Sequence, residues 1–277
     1  MKIAFQQVMG SEVGDKWVTN YNQVLRKNID LARSKDTEVV FQTLKRGISR
    51  FEAMYYSYLN LLEYREILEG IIQAEKDGFD AVMICCFFDT VLKEARQAVD
   101  IPVMGAAESS MLMATMMGAK FGVVTVSPEA AFDMENNIVK YGLSSRATSV
   151  KPINTTPRDQ MNILNDAHEG IDSFKMVARE LIKEGAEILI PGCMVMAPGL
   201  RIAPGCEGLP HGLREVDGVP VMDVVGTLVL ITEMMVRLKK CGSSWISRKG
   251  FFARPSEKVL KSVLSVLPYE GPGVWRS

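Results

Sequence analysis

Two stretches of this chain carry nearly the same short pattern. GFDAVMICC runs from Gly78 to Cys86, and GAEILIPGC runs from Gly185 to Cys193. Both open on Gly, carry an acid two places later (Asp80, Glu187), turn apolar, and end on a cysteine eight residues after the glycine. The match continues downstream. AVDIPVMG (Ala98–Gly105) follows the first copy and EVDGVPVMD (Glu215–Asp223) the second, each leading into a Met- and Leu-rich helical pattern. The pattern therefore predicts one βαβ scheme written twice. The second copy carries about 11 extra residues, in the Pro/Gly-rich text from Pro198 to Asp217 that reads as a loop.

The rest of the chain alternates in the same way. KIAFQQV, EVVFQTL, DAVMI, IPVMG, FGVVTV, RATSVKPI and EILI read as strands. Helical spacing fills the intervals, including residues 20–34, the stretch Phe51–Asp77, FFDTVLKEARQAV and a last long helix ending near Lys240. Near-continuous apolar strands alternating with helices predict an α/β protein with parallel sheets. Its 277 residues are enough for one large or two ordinary domains. A net charge of −1 with no basic face gives no footprint for nucleic acid. No run approaches the roughly 18 apolar residues of a membrane span. Five cysteines without a secretory leader or C-x-x-C predict free thiols in the cytoplasm, and two distant histidines give little to bind zinc.

In open α/β sheets, ligands bind beyond the carboxyl ends of the strands. Cys86 and Cys193 stand at such ends. If helices begin just after them, the free N–H groups there lower each thiol from its usual value. Two similar lobes facing each other would then place one thiol on each side of a shared cleft. That arrangement suits removing a proton from one face of a carbon and returning one to the other.

The motifs GFDAVMICCFFD, DIPVMGAAESS, FGVVTVS, GAEILIPGCMVMA and GVPVMDVVGTLVLITEMMVRL, with the tail SRKGFFARP, together resemble the aspartate/glutamate/hydantoin racemase superfamily, most of all its hydantoin racemase branch. The resemblance implies two flavodoxin-like lobes related by a pseudo-twofold axis, with the active site between them. Residues 1–105 plus 220–277 would form one lobe and 106–219 the other. It implies a racemase or epimerase that needs no cofactor and no metal, acts on a small molecule with a hydantoin-like ring, and forms homo-oligomers. Cys86 and Cys193 match the catalytic pair. Gln7, Phe87, Phe88, Asp89, Thr125, Ser127, Met194 and Val195 match positions around the substrate. Backbone N–H groups after each cysteine are expected to hold the developing enolate oxygen. The same fold also hosts maleate-type cis–trans isomerisation, decarboxylation and lyase chemistry, and these stay open, as do a non-catalytic binding module and a thiol redox protein.

Three positions depart from the family pattern: Gln7 where a first-loop Asn is usual, Phe88 where a small residue is usual, and the long segment Pro198–Asp217. Other residues have plainer readings. Cys85 should face away from Cys86 and pack in the core, and Cys206 and Cys241 read as incidental. Asp89 suits a helix cap and Glu108 an ion pair. His211 could line the cleft, His168 sits on a surface helix, and Tyr55, Tyr56 and Phe88 could form an aromatic wall.

Overall fold

The computed structural model describes residues 1–10, 15–44, 56–153, 159, 162–209 and 211–266. The strands are β1 (Lys2–Gly10), β2 (Glu38–Leu44), β3 (Ala81–Cys85), β4 (Val103–Gly105), β5 (Phe121–Thr125), β6 (Ala147–Pro152) and β7 (Ile188–Pro191). A short hairpin, β8 (Glu215–Val216) and β9 (Val219–Pro220), follows. The helices are α1 (Asp15–Ala32), α2 (Ser57–Lys76), α3 (Leu92–Ala98), α4 (Ala106–Met117), α5 (Pro128–Lys140), α6 (His168–Lys183), α7 (Met196–Ile202), α8 (Val224–Lys240) and α9 (Glu257–Leu264).

The repeat in the sequence is a repeat in the fold. The first sheet has the order β2-β1-β3-β4 and the second β6-β5-β7, all pairs parallel. Val221 completes the second sheet by bridging to Leu189, just as Val103 pairs with Val82 in the first. The two copies also enter their strands through the same turn. Gly78 (φ 77°) and Gly185 (φ 95°) adopt the left-handed conformation that closes the preceding helix, where a side chain would be strained. Phe79 N then bonds Ala74 O, and Ala186 N bonds Leu181 O, each at 3.0 Å. The expected α/β architecture with parallel sheets is what forms.

Burial explains the apolar strands. β3, β5 and β7 are buried at every residue, as strands covered on both faces must be. Alternation along β1 and β3 sorts side chains to two faces. Ile3, Phe5, Met83 and Cys85 join a large core shared with β5, β7 and α6, whereas Ala4, Val82, Ile84 and Cys86 pack with α2 and α3. Cys85 and Cys86 thus face opposite ways, as neighbours leaving a strand should. In α6, Ile171, Phe174, Val177, Ala178 and Leu181 recur at helical spacing and supply its buried stripe.

Two segments differ from the sequence reading. FFDTV is not helical: α3 starts only at Leu92, because Asp89 and Val91 both hold φ 52° and turn the chain first. The segment from Pro198 is not all loop. Helix α7 includes Pro198 and Gly199, since a proline in the first turn sacrifices no helical hydrogen bond. Helix α9 was not foreseen. Among the described residues, no helix is long and apolar enough to cross a membrane.

Candidate active site

The first cysteine sits on a strained turn. Strand β3 ends at Cys85, and the chain bends back with Asp89 N donating to Cys86 O at 3.2 Å. Asp tolerates the left-handed region, but β-branched Val91 does not, so this turn stores backbone strain. Its effect is local and chemical: it brings the Thr90 hydroxyl and the Phe88 N–H to the Cys86 sulfur, where both favour the thiolate. Burial is the larger influence and pushes the Cys86 thiol up to about 11, and charges on Asp89 and Cys193 push the same way.

The second cysteine stands two residues beyond β7. Val195 N donates to its sulfur at 3.4 Å, and Met196 N also favours its thiolate. Here the expected helix start is present, since α7 opens at Met196. Burial still outweighs the donors and leaves the Cys193 thiol raised. The sequence reading had both thiols lowered. That is corrected for both, because each sulfur loses more hydration than two N–H or O–H donors return. A charge forming on Cys193 disfavours one on Cys86 and on Cys85, so the three sulfurs share one electrostatic neighbourhood.

The remaining sequence candidates spread around this centre. Gln7 lies beside Cys85 across the β1–β3 ladder and donates to Asn22 Oδ1 at 2.5 Å. Phe87 is buried in the large core, and half-buried Phe88 touches both clusters while its carbonyl accepts from Asn137. Thr125 ends β5, and its fully buried hydroxyl makes no hydrogen bond among the described residues. Ser127 caps α5 by accepting from Ala130 N at 3.1 Å. The Met194 carbonyl accepts from Tyr21, and Val195 lines a pocket of about 210 Å³. That pocket opens on Cys193 between Val126, Ile153, Ile163 and Met196.

Asp89 is a cap, but of α4 rather than of the helix that follows it. Its oxygens accept from Ala107 N (2.9 Å), Glu108 N (2.7 Å) and Tyr141 Oη (2.6 Å). Burial nonetheless raises it to about 6. Glu108 forms the expected ion pair, with Arg96 as a two-pronged partner. His211 is exposed, with its carbonyl on Arg201 Nη1, and His168 is exposed beside Asp166. Cys206 is buried against the α7 carbonyls and Cys241 is exposed. Tyr56 is exposed at the start of α2, and Tyr55 lies outside the described residues. No cluster of metal-ligating residues occurs among the described residues.

Thr90 and Tyr21 were missed by the sequence reading. Thr90 is hidden because only the left-handed turn aims it at Cys86. Tyr21 stands on α1, 64 residues before the sulfur it touches, and no local spacing could announce that contact.

Comparison with known proteins agrees with the motifs. The family described as Asp/Glu/hydantoin racemase matches residues 17–231. A hydantoin racemase of Pseudomonas sp. strain NS671 is 32% identical over 210 residues, covering 76% of this chain and 78% of its own. Another, from Paenarthrobacter aurescens, is 28% identical over 194 residues, covering 69% and 75%. Among solved structures, allantoin racemase from Klebsiella pneumoniae superposes with a TM-score of 0.73 at 22% identity, covering 93% of this chain and 94% of that one, which shows a shared two-lobe fold. With its family's motifs in order along the chain and its fold in common, this protein belongs to the Asp/Glu/hydantoin racemase family.

Proposed function

We propose that this protein is a cofactor-independent racemase of hydantoin-like rings in which Cys86 and Cys193 exchange protons with opposite faces of one carbon. The observation that carries the reading is the placement of two thiols at matching ends of two matching strands, each sulfur supplied with donors that favour its thiolate. One cysteine reacts as thiolate and takes the proton from the ring carbon next to a carbonyl. The bonding pair moves into an enolate. The opposite cysteine, still a thiol, protonates the other face and is left as the thiolate. The pair is then in its mirror protonation state, ready for the reverse reaction, so no net proton is consumed.

The donors assigned to each partner follow from the geometry. Thr90 and the Phe88 N–H stabilise a Cys86 thiolate, and the Val195 and Met196 N–H groups stabilise one at Cys193. The Thr125 hydroxyl, without a hydrogen bond among the described residues, is assigned to a polar atom of the ring, because a buried hydroxyl left so costs about 1–3 kcal/mol until something meets it. The substituent on the reacting carbon takes the pocket of about 210 Å³ beside Cys193. The reading includes two pseudo-twofold-related lobes, divided near Gly105 and Pro220, and a self-associating enzyme of the cytosol. It is tested by polarimetry on single enantiomers of 5-substituted hydantoins with the parent, Cys86→Ser and Cys193→Ser. Racemisation by the parent alone supports it. A parent that leaves optical rotation constant removes the hydantoin assignment and turns the search to maleate-type isomerisation and lyase chemistry.

A further inference from the structure

We propose that Tyr21 is a positioning residue that fixes the two reactive thiols relative to each other. This rests on the two-thiol reading above.

Tyr21 projects from α1 into the buried space between the two repeats, with Cys85, Met194 and itself all 5% exposed or less. Its hydroxyl lies 3.2 Å from Cys85 Sγ and 3.1 Å from the Met194 carbonyl oxygen. These partners are the chain neighbours of Cys86 and of Cys193. One hydroxyl therefore spans from the residue before the first reactive thiol to the residue after the second.

The proton count fixes the direction of the bonds. A phenol has one proton, and a carbonyl only accepts. The Tyr21 proton goes to Met194 O, so the proton between Tyr21 and Cys85 belongs to sulfur. The relay reads Cys85 S–H to Tyr21 O–H to O=C of Met194. Burial is the largest influence on Cys85 and raises that thiol strongly, while the Tyr21 hydroxyl pulls the other way. Cys86 has two donors that favour its thiolate, from Thr90 and Phe88. Of the two neighbours, Cys85 is the harder to ionise.

Helix α1 is braced to do this from both sides. Asn22 receives the Gln7 amide from the first sheet, and Asn20 donates to Leu164 O (3.2 Å) and Asn165 Oδ1 (2.8 Å) in the second repeat. Asn28 donates to Asp223, the cap of α8. A shift at Tyr21 would therefore reach both cysteines together. Misplacing reacting groups by about 1 Å can cost about 100-fold in rate.

The test uses Tyr21→Phe, Cys85→Ser and Cys85→Ala in the full chain. Tyr21→Phe removes both relay bonds and should lower kcat by about 10-fold or more with KM within about 2-fold, the signature of geometry lost in the transition state. Cys85→Ser keeps a donor to Tyr21 and should hold kcat within about 3-fold. Cys85→Ala should fall between them. Tyr21→Phe with unchanged kcat, or Cys85→Ser as slow as Tyr21→Phe, overturns the proposal. If Tyr21→Phe does not fold, the order of Cys85→Ser above Cys85→Ala decides, and equal rates overturn it.

A second readout needs no substrate. Cadmium ion is added to Cys85→Ser that also carries Cys241→Ser, which removes the exposed thiol, and binding between Cys86 and Cys193 is followed by thiolate–metal absorbance in the ultraviolet. Adding Tyr21→Phe should weaken that binding by about 10-fold, and unchanged binding overturns the strut. If the parent turns over no hydantoin, the proposed function fails while the cadmium titration still judges Tyr21.

Discussion

Replacing Thr90 by Val removes a hydroxyl while keeping the shape of the side chain, and its consequence can be worked out from the turn. In the parent, burial holds the Cys86 thiol at about 11, with the Thr90 hydroxyl pulling down against it. A hydrogen bond to a charged acceptor contributes about 1.5–3 kcal/mol. At about 1.4 kcal/mol per pH unit, its loss raises the Cys86 thiol by a further 1–2 units or so. The group is a thiol below its pKa, so the thiolate fraction falls about tenfold for each unit of upward shift at any pH well below 11. Alkylation of Cys86 by iodoacetamide at pH 9, followed by peptide mass spectrometry, should therefore slow by about 10- to 100-fold in Thr90→Val. Racemisation should fall in parallel and recover as pH is raised. Thr90→Ser restores the donor and should return both rates to within a few-fold of the parent. A Thr90→Val protein with the parent's alkylation rate and an unshifted pH–rate profile would refute the assignment of Thr90 to the Cys86 thiolate.

Three other outcomes follow from the same geometry. In the parent, kcat/KM should rise with pH from neutral into the alkaline range, because both thiols are raised and one must ionise, and a rate that falls over pH 7–9 would contradict this. Glu108→Ala strands Arg96, whose side chain is only 8% exposed; losing one partner of such a pair costs about 3–5 kcal/mol, so thermal unfolding should drop by about 6–20 °C. Gly185→Ala and Gly192→Ala should part company. The first meets no atom within 4 Å and suffers only left-handed backbone strain of about 1–2 kcal/mol, leaving kcat near the parent's. The second drives a methyl to 2.8 Å from Val123 and 3.2 Å from the Val124 carbonyl, next to Cys193, and should lower kcat more than it lowers thermal stability.

What the sequence reveals and what it hides divide along physical lines. The paired GFDAVMICC and GAEILIPGC stretches could be read because strand burial and helix-closing glycines are local demands on residue type, and the matched bonds of Phe79 and Ala186 are the outcome. Membership of the family was equally legible in the ordered motifs. The state of the thiols was not. It depends on desolvation by the whole fold, which no stretch of sequence encodes, and the local clue of a nearby helix start pointed the wrong way. Asp89 shows the same limit: a capping carboxylate was expected on its own helix, but the chain turns through φ 52° at Asp89 and delivers it to α4 instead. Pro198 and Gly199 misled in the other direction, because turn-forming residues in a first helical turn look like a loop until the helix is seen.

The central claim is that two thiols on opposite faces share one proton transfer, and isotope placement in the first turnovers tests it most directly. A single enantiomer of a 5-substituted hydantoin is incubated with the protein in deuterium oxide, and substrate and product enantiomers are separated before one-tenth conversion. The two-thiol account predicts deuterium in essentially every product molecule and none in the remaining substrate, because the proton is taken by one cysteine and the deuteron delivered by the other. Product that retains its original proton, or label accumulating equally in the recovered substrate, would mean that one group serves both faces, and the account would be wrong.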